Sequence, residues 1–170
     1  MKRCPWLFLA AAVTLASCGG TATSSSTSTV GKCALENDAE CIGADLSGQD
    51  LSGKRLIGID FRNANLSNTK FVGADLTQAN LVGANLAGAD FSGATLVRIS
   101  LSTANAAGVN FSGSLLTGAD FREADIAEAN FSRAYLTDSN FTGALNAPSF
   151  ESALLCKTAM PDGEVEAPSC

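Results

Sequence analysis

Residues 73–96 read GADLTQANLVGANLAGADFSGATL. A large apolar residue stands at every fifth place: Leu76, Leu81, Leu86, Phe91 and Leu96. An alanine stands two places before each, and Asp or Asn usually one place before. The same phase holds outward from Leu46 to Phe141. Nineteen of its twenty steps are Leu, Phe or Ile, so Ala106 is the exception that needs explaining. Fourteen of the twenty preceding residues are Asp or Asn, and eleven of the residues two places later are Gly. Both are turn formers.

A period of five fits neither regular element. On an α-helix five residues turn about 500°, so successive large residues fall about 140° apart and form no stripe. The Gly, Asn, Asp and Ser would also weaken a helix. On a straight strand five is odd, so successive Leu residues would face opposite sides. A chain that turns a corner every five residues buries all of them. Each side points one large and one small residue inward, four sides close a coil, and coils stack into a solenoid.

The runs GADLSGQDLSG (43–53) and GADFREADIAEANFSRAYLTDSNF (118–141), with the stretch quoted above, resemble the pentapeptide repeat family. The resemblance covers about residues 42–145. It implies an all-β fold, a right-handed quadrilateral β-helix of about five coils. With twenty residues per coil, one inward column is Leu56, Leu76, Leu96, Leu116, Leu136. Another is Leu51, Phe71, Phe91, Phe111, Phe131. Columns of one residue type support that register. Ala106 should leave a void unless neighbours fill it. Gln49 and Lys54 stand where small inward residues belong, which predicts a frayed edge at the first coil. A rod of this kind would be roughly 24 Å long at about 4.8 Å per coil.

The flanks differ in composition. Met1-Lys2-Arg3, the apolar run 6–15 and the small residues after it have the layout of a secretory signal. The run is shorter than the roughly 20 residues of a membrane span. Leu15-Ala16-Ser17-Cys18 resembles the bacterial lipobox, which implies cleavage before Cys18 and lipidation of its thiol. Gly19, not Asp, follows; by that resemblance a Gram-negative cell would sort the chain to its outer membrane. The expected organisation is a signal over 1–17, an anchor and flexible Ser/Thr/Gly tether over 18–31, an N-terminal cap over 32–41, the β-helix over 42–145 and a C-terminal cap over 146–170. Four cysteines remain beyond the signal and Cys18: Cys33, Cys41, Cys156 and Cys170. In an exported chain they suggest two disulfides among three connectivities. Local pairs, Cys33–Cys41 and Cys156–Cys170, avoid spanning the solenoid; free buried thiols are the alternative. The stretch LCKTAMPDG (155–163) resembles an ending found in secreted pentapeptide repeat proteins.

The sequence offers little chemistry. It has no His, which excludes imidazole catalysis and Cys/His zinc sites. The recurring Asp residues belong to the repeat, whereas a catalytic site is singular, so they read as turn and ladder residues. No nucleophile–base pair, phosphate loop or dense metal-ligand cluster is evident, and neither enzyme activity nor a cofactor is expected. One outer face carries Ile57, Thr77, Val97, Thr117 and Thr137, with Leu115 and Tyr135 beside them. It reads either as a β-branched ladder or as an apolar interaction patch centred on Ile57, Val97, Leu115 and Tyr135. The expected role is a lipid-anchored scaffold of the bacterial envelope, with the membrane and an unidentified envelope component as partners. The family resemblance implies one alternative, since some members imitate DNA and bind DNA gyrase, protecting it from quinolones. B-DNA holds about 14 charges in 24 Å. Residues 44–143 carry ten acidic and seven basic side chains, a net of −3. That falls several-fold short of DNA, and on a chain of net charge −6 no nucleic acid is expected as a partner.

Overall fold

The computed structural model describes residues 33–166. Its central feature is a ladder of parallel bridges between residues twenty apart. Asp45 pairs with Asn65, Asn65 with Asn85, Asn85 with Asn105 and Asn105 with Asp125. Parallel ladders starting at Glu40, Asp50 and Arg55 complete four sides. Each coil therefore spends five residues per side.

The backbone explains the period. In one unit, Leu46 N–H donates to Asn65 O of the next coil and Gly48 N–H to Ser67 O. Asn65 N–H returns a bond to Ala44 O, and Gln49 N–H closes the corner on Leu46 O. The residue two places after each inward side chain has positive φ, near 55–70°. Glycine adopts this freely; Gly83 also needs its small size, because a Cβ there would meet Asn63 Oδ1 at 2.6 Å. Nine of these corners are not Gly, among them Arg98 and β-branched Thr103. The ladder holds them in the left-handed region against their preference.

The inward columns form one continuous core. Phe71, Phe91, Phe111 and Phe131 stack rung on rung, with centroids 4.6, 5.5 and 5.1 Å apart. Phe121 and Phe141 stack at 4.6 Å and meet the first column edge-on. Ala106 is fully buried and keeps its rung bond to Asp125 O. Val109, three places on, is fully buried where most units place Ala, so its extra bulk lies in the same coil as the missing Leu. Polar residues at the small inward position are satisfied by backbone. Thr69, Ser139 and Thr158 hydroxyls donate to Leu46 O, Leu116 O and Leu136 O.

The first coil is not frayed at Gln49 and Lys54. Both side chains are exposed, but Lys70 N–H donates to Gln49 O and Asp75 N–H to Lys54 O, each at 2.9 Å. The long side chains turn to solvent and the rung stays in register. The ladder also reaches behind residue 42. Glu40 bridges Asp60, and Cys41 takes the inward place before Leu46. Cys41 is disulfide-bonded to Cys33, which draws the preceding chain, with Leu35, against the end of the core. At the other end Phe150 lies 5.2 Å from Phe131 and 5.1 Å from Phe141. After it the ladder resumes one residue out of step: Tyr135 bridges Leu154, and Asn140 bridges Ala159. Two short antiparallel strands, β1 (Thr158–Ala159) and β2 (Val165–Glu166), finish the described chain.

Two substitutions test this architecture. Leu96→Asp buries an uncompensated charge at a fully buried position and should abolish the cooperative thermal transition. Thr103→Gly relieves a β-branched residue at φ 57° and should raise stability by up to about 1 kcal/mol, read as a higher melting temperature by circular dichroism.

Candidate interaction surface

The Asp and Asn residues before each inward side chain act on the backbone. Their Oδ1 atoms accept the N–H two residues on: Ser47 to Asp45, Thr77 to Asp75, Ser92 to Asp90, Ser112 to Asn110 and Ser132 to Asn130, among others. That N–H is the one donor of the unit which the ladder does not use. Neighbouring rungs join through the same groups. Asn65 donates to Asp45, Asn85 to Asn65 and Asn105 to Asn85, at 3.0–3.2 Å. The carboxylates are thus turn caps with their Oδ1 atoms committed, and among the described residues no group of three or more His, Cys, Asp or Glu could hold a metal ion.

The electrostatics follow from those bonds. Bonds from the Ser47 hydroxyl and N–H hold Asp45 below its ordinary value of 3.8, with Asn65 adding to them. Asp125 is lowered by Asn146 and then by the Ala127 N–H. Asp60 and Asp120 are lowered chiefly by the side-chain bonds of Arg62 and Arg122, at 2.6 and 2.7 Å, on the same face of the rod. Both ion pairs are partly exposed and contribute little to stability.

The exposed large apolar side chains among the described residues are Ile42, Val72, Leu115, Tyr135, Leu145, Leu154 and Val165, and three of them form one run. Leu115, Tyr135 and Leu154 are 41, 46 and 55% exposed and follow one another in a single ladder. Ile57 and Val97 do not join them. They sit at the corner of the next column, half-buried, and Ile57 N–H donates to Asn37 Oδ1. Leu154 escapes the sequence reading because the chain around 146–150 is one residue short of the repeat and shifts its phase. Beside the ladder lies an open hollow of about 530 Å³ lined by Ser112, Gly113, Ser132, Arg133 and Ser152. Cys33 and Cys41 stand at the opposite end of the solenoid. Cys156 is also disulfide-bonded. Cys18, the signal, the tether and Cys170 lie outside the described residues.

A family model described as pentapeptide repeats matches residues 39–78, 70–105 and 104–143 in eight copies. The chain belongs to the pentapeptide repeat family. No curated protein matches it. Solved structures similar to it include a pentapeptide repeat protein from the Arabidopsis thaliana thylakoid lumen. That match has 32% identity, covers 55% of this chain and 68% of that one, and has a TM-score of 0.34. HetL, a pentapeptide repeat protein involved in heterocyst differentiation regulation from the cyanobacterium Nostoc, is 26% identical over 77% of this chain and 89% of its own, with a TM-score of 0.28. QnrB1, a plasmid-mediated fluoroquinolone resistance protein, is 18% identical over 74 and 72%, with a TM-score of 0.39.

Because Asp45, Asp50, Asp60, Asp120 and Asp125 titrate lower in the folded chain, their contribution is present above 3.8 and is lost as pH falls through and below it. The melting temperature should be flat above about pH 5 and fall on further acidification. Asp120→Asn should lower it at neutral pH and make the acid limb shallower; an unchanged limb contradicts the assignment.

Proposed function

We propose that this chain is a non-enzymatic scaffold, anchored to the bacterial envelope through an acylated Cys18, with its β-helix held out on the segment 19–31. The observation that carries the reading is how the polar side chains are used. The recurring Asp and Asn groups cap the turns of a uniform rod, and this regularity supports a surface that presents contacts over one that performs a reaction. We take the solenoid to be right-handed with about five coils, in keeping with its family. The anchor rests on Leu15-Ala16-Ser17-Cys18, preceded by a basic start and an apolar run. Acyl chains at about 0.8 kcal/mol per buried CH₂ would hold it firmly. The net charge of −3 over residues 44–143 speaks against imitation of DNA.

The test is the intact mass of the protein from its native membrane fraction, beside a Cys18→Ala variant. The expected species is residues 18–170 plus acyl groups, with membrane association lost in the variant. An unprocessed, unacylated chain in the cytoplasm would contradict the anchor and make gyrase supercoiling the next assay.

A further inference from the structure

We infer that the hollow at Ser112, Ser132, Arg133 and Ser152, with the Leu115–Tyr135–Leu154 ladder along its border, is a binding site for an acidic oligosaccharide. The inference deepens the scaffold reading by giving the partner's chemistry, and rests on that reading.

The two features lie side by side. Gly113 precedes Leu115 by two residues, Arg133 precedes Tyr135 by two, and Ser152 precedes Leu154 by two, in successive rungs of the ladder. Polar and apolar strips therefore run together along the rod. The polar strip is free to bind. The hydroxyls of Ser112, Ser132 and Ser152 make no hydrogen bond to other described residues, and no carboxylate lines the hollow. Arg62 and Arg122 are each held by an aspartate, whereas Arg133 has no ion pair among the described residues. On a chain of net charge −6 it is a cation available to an anionic group.

The shape selects among ligands. An apolar small molecule needs an enclosed, mostly apolar cavity; this hollow is open and hydroxyl-lined. A peptide strand needs free backbone groups at a sheet edge. Here Leu115 N–H is committed to Ala94 O, Tyr135 N–H to Ser114 O, and both carbonyls accept from the preceding coil. A nucleic acid needs several cations along its phosphates, and the hollow has one. A carboxylated sugar chain meets every condition. Its hydroxyls match the serines, its carboxylate matches the guanidinium, and the apolar faces of its rings can lie on Tyr135 and the flanking leucines. Tyr135 is suited to this place because its ring is apolar and its edge is polar.

The experiment is calorimetric titration of the detergent-solubilised full chain with oligogalacturonate and, separately, with the carboxyl-reduced neutral oligomer. Acylation of Cys18 does not enter this measurement, so its failure leaves the anchor untouched. The acidic oligomer should bind, and bind more weakly as salt rises. Arg133→Gln should weaken it about tenfold or more and leave the neutral oligomer unaffected. Tyr135→Ala should weaken both oligomers, and Lys54→Gln, at the far end, should change neither. Arg133 and Tyr135 are exposed, so unchanged melting temperatures would show that the variants fold. Absence of heat with both oligomers, or binding that persists in the Arg133→Gln/Tyr135→Ala variant, overturns the site. So does self-association lost in Leu115→Lys without oligomer binding, which would give the ladder to a second copy of the chain.

Discussion

The backbone bond from an inward residue to the coil above it, as from Leu46 N–H to Asn65 O, is the interaction on which the molecule depends. It recurs at 2.7–2.8 Å through most of the rod. A solenoid coil has no helix or hairpin to hold it alone, and burial of one large residue per five does not offset the entropy of ordering the other four. Bonding between coils supplies the rest. Hence a coil is stable only where another lies against it, and both ends need covering.

Every other feature answers that ladder. A corner every fifth residue requires a left-handed turn, which Gly provides readily and Arg98, Thr103 and Glu123 provide under constraint. The corner leaves one amide without a rung partner, and the Asp or Asn before the inward residue takes it. The small inward position tolerates Thr69 and Ser139 because a carbonyl of the coil below is within reach of their hydroxyls. The ends solve different problems. At the N-terminus a disulfide draws the chain against the core, and at the C-terminus an aromatic ring closes the phenylalanine stack. The outer surface is left to vary. The apolar ladder and its hollow stand where the Asp/Asn rule lapses, at Leu115 and Tyr135.

This division explains what could be read from residue order. The five-residue phase, the columns and the turn role of the Asp and Asn residues follow from repetition, which averages over local exceptions. Positions that break the repeat were harder to read. Gln49 and Lys54 read as misfits in a packed core, but they lie in the first coil with their side chains in solvent, and exposure removes the conflict. Leu154 was hidden by the one-residue slip after 145, and Phe150 by its lying outside the phase. Residue order groups Ile57 and Val97 with Leu115 and Tyr135 although they occupy the corner column; proximity in a five-residue unit does not distinguish a face from its edge. The hollow at Arg133 carries no sequence signal, because its residues meet only across coils.

Amide hydrogen exchange tests the ladder most directly. In the units led by Asp or Asn from Asp60 to Asp120 all five amides are bonded; in units led by Lys70, Thr95, Ser100, Leu115 or Tyr135 the corner amide has no partner among the described residues. Val72, Val97, Ser102, Thr117 and Thr137 should therefore exchange quickly between slow neighbours. Thr77, Ser92 and Ser112, at the same place in capped units, should exchange slowly. Uniform protection across both sets, or protection that follows a period other than five, would contradict the account.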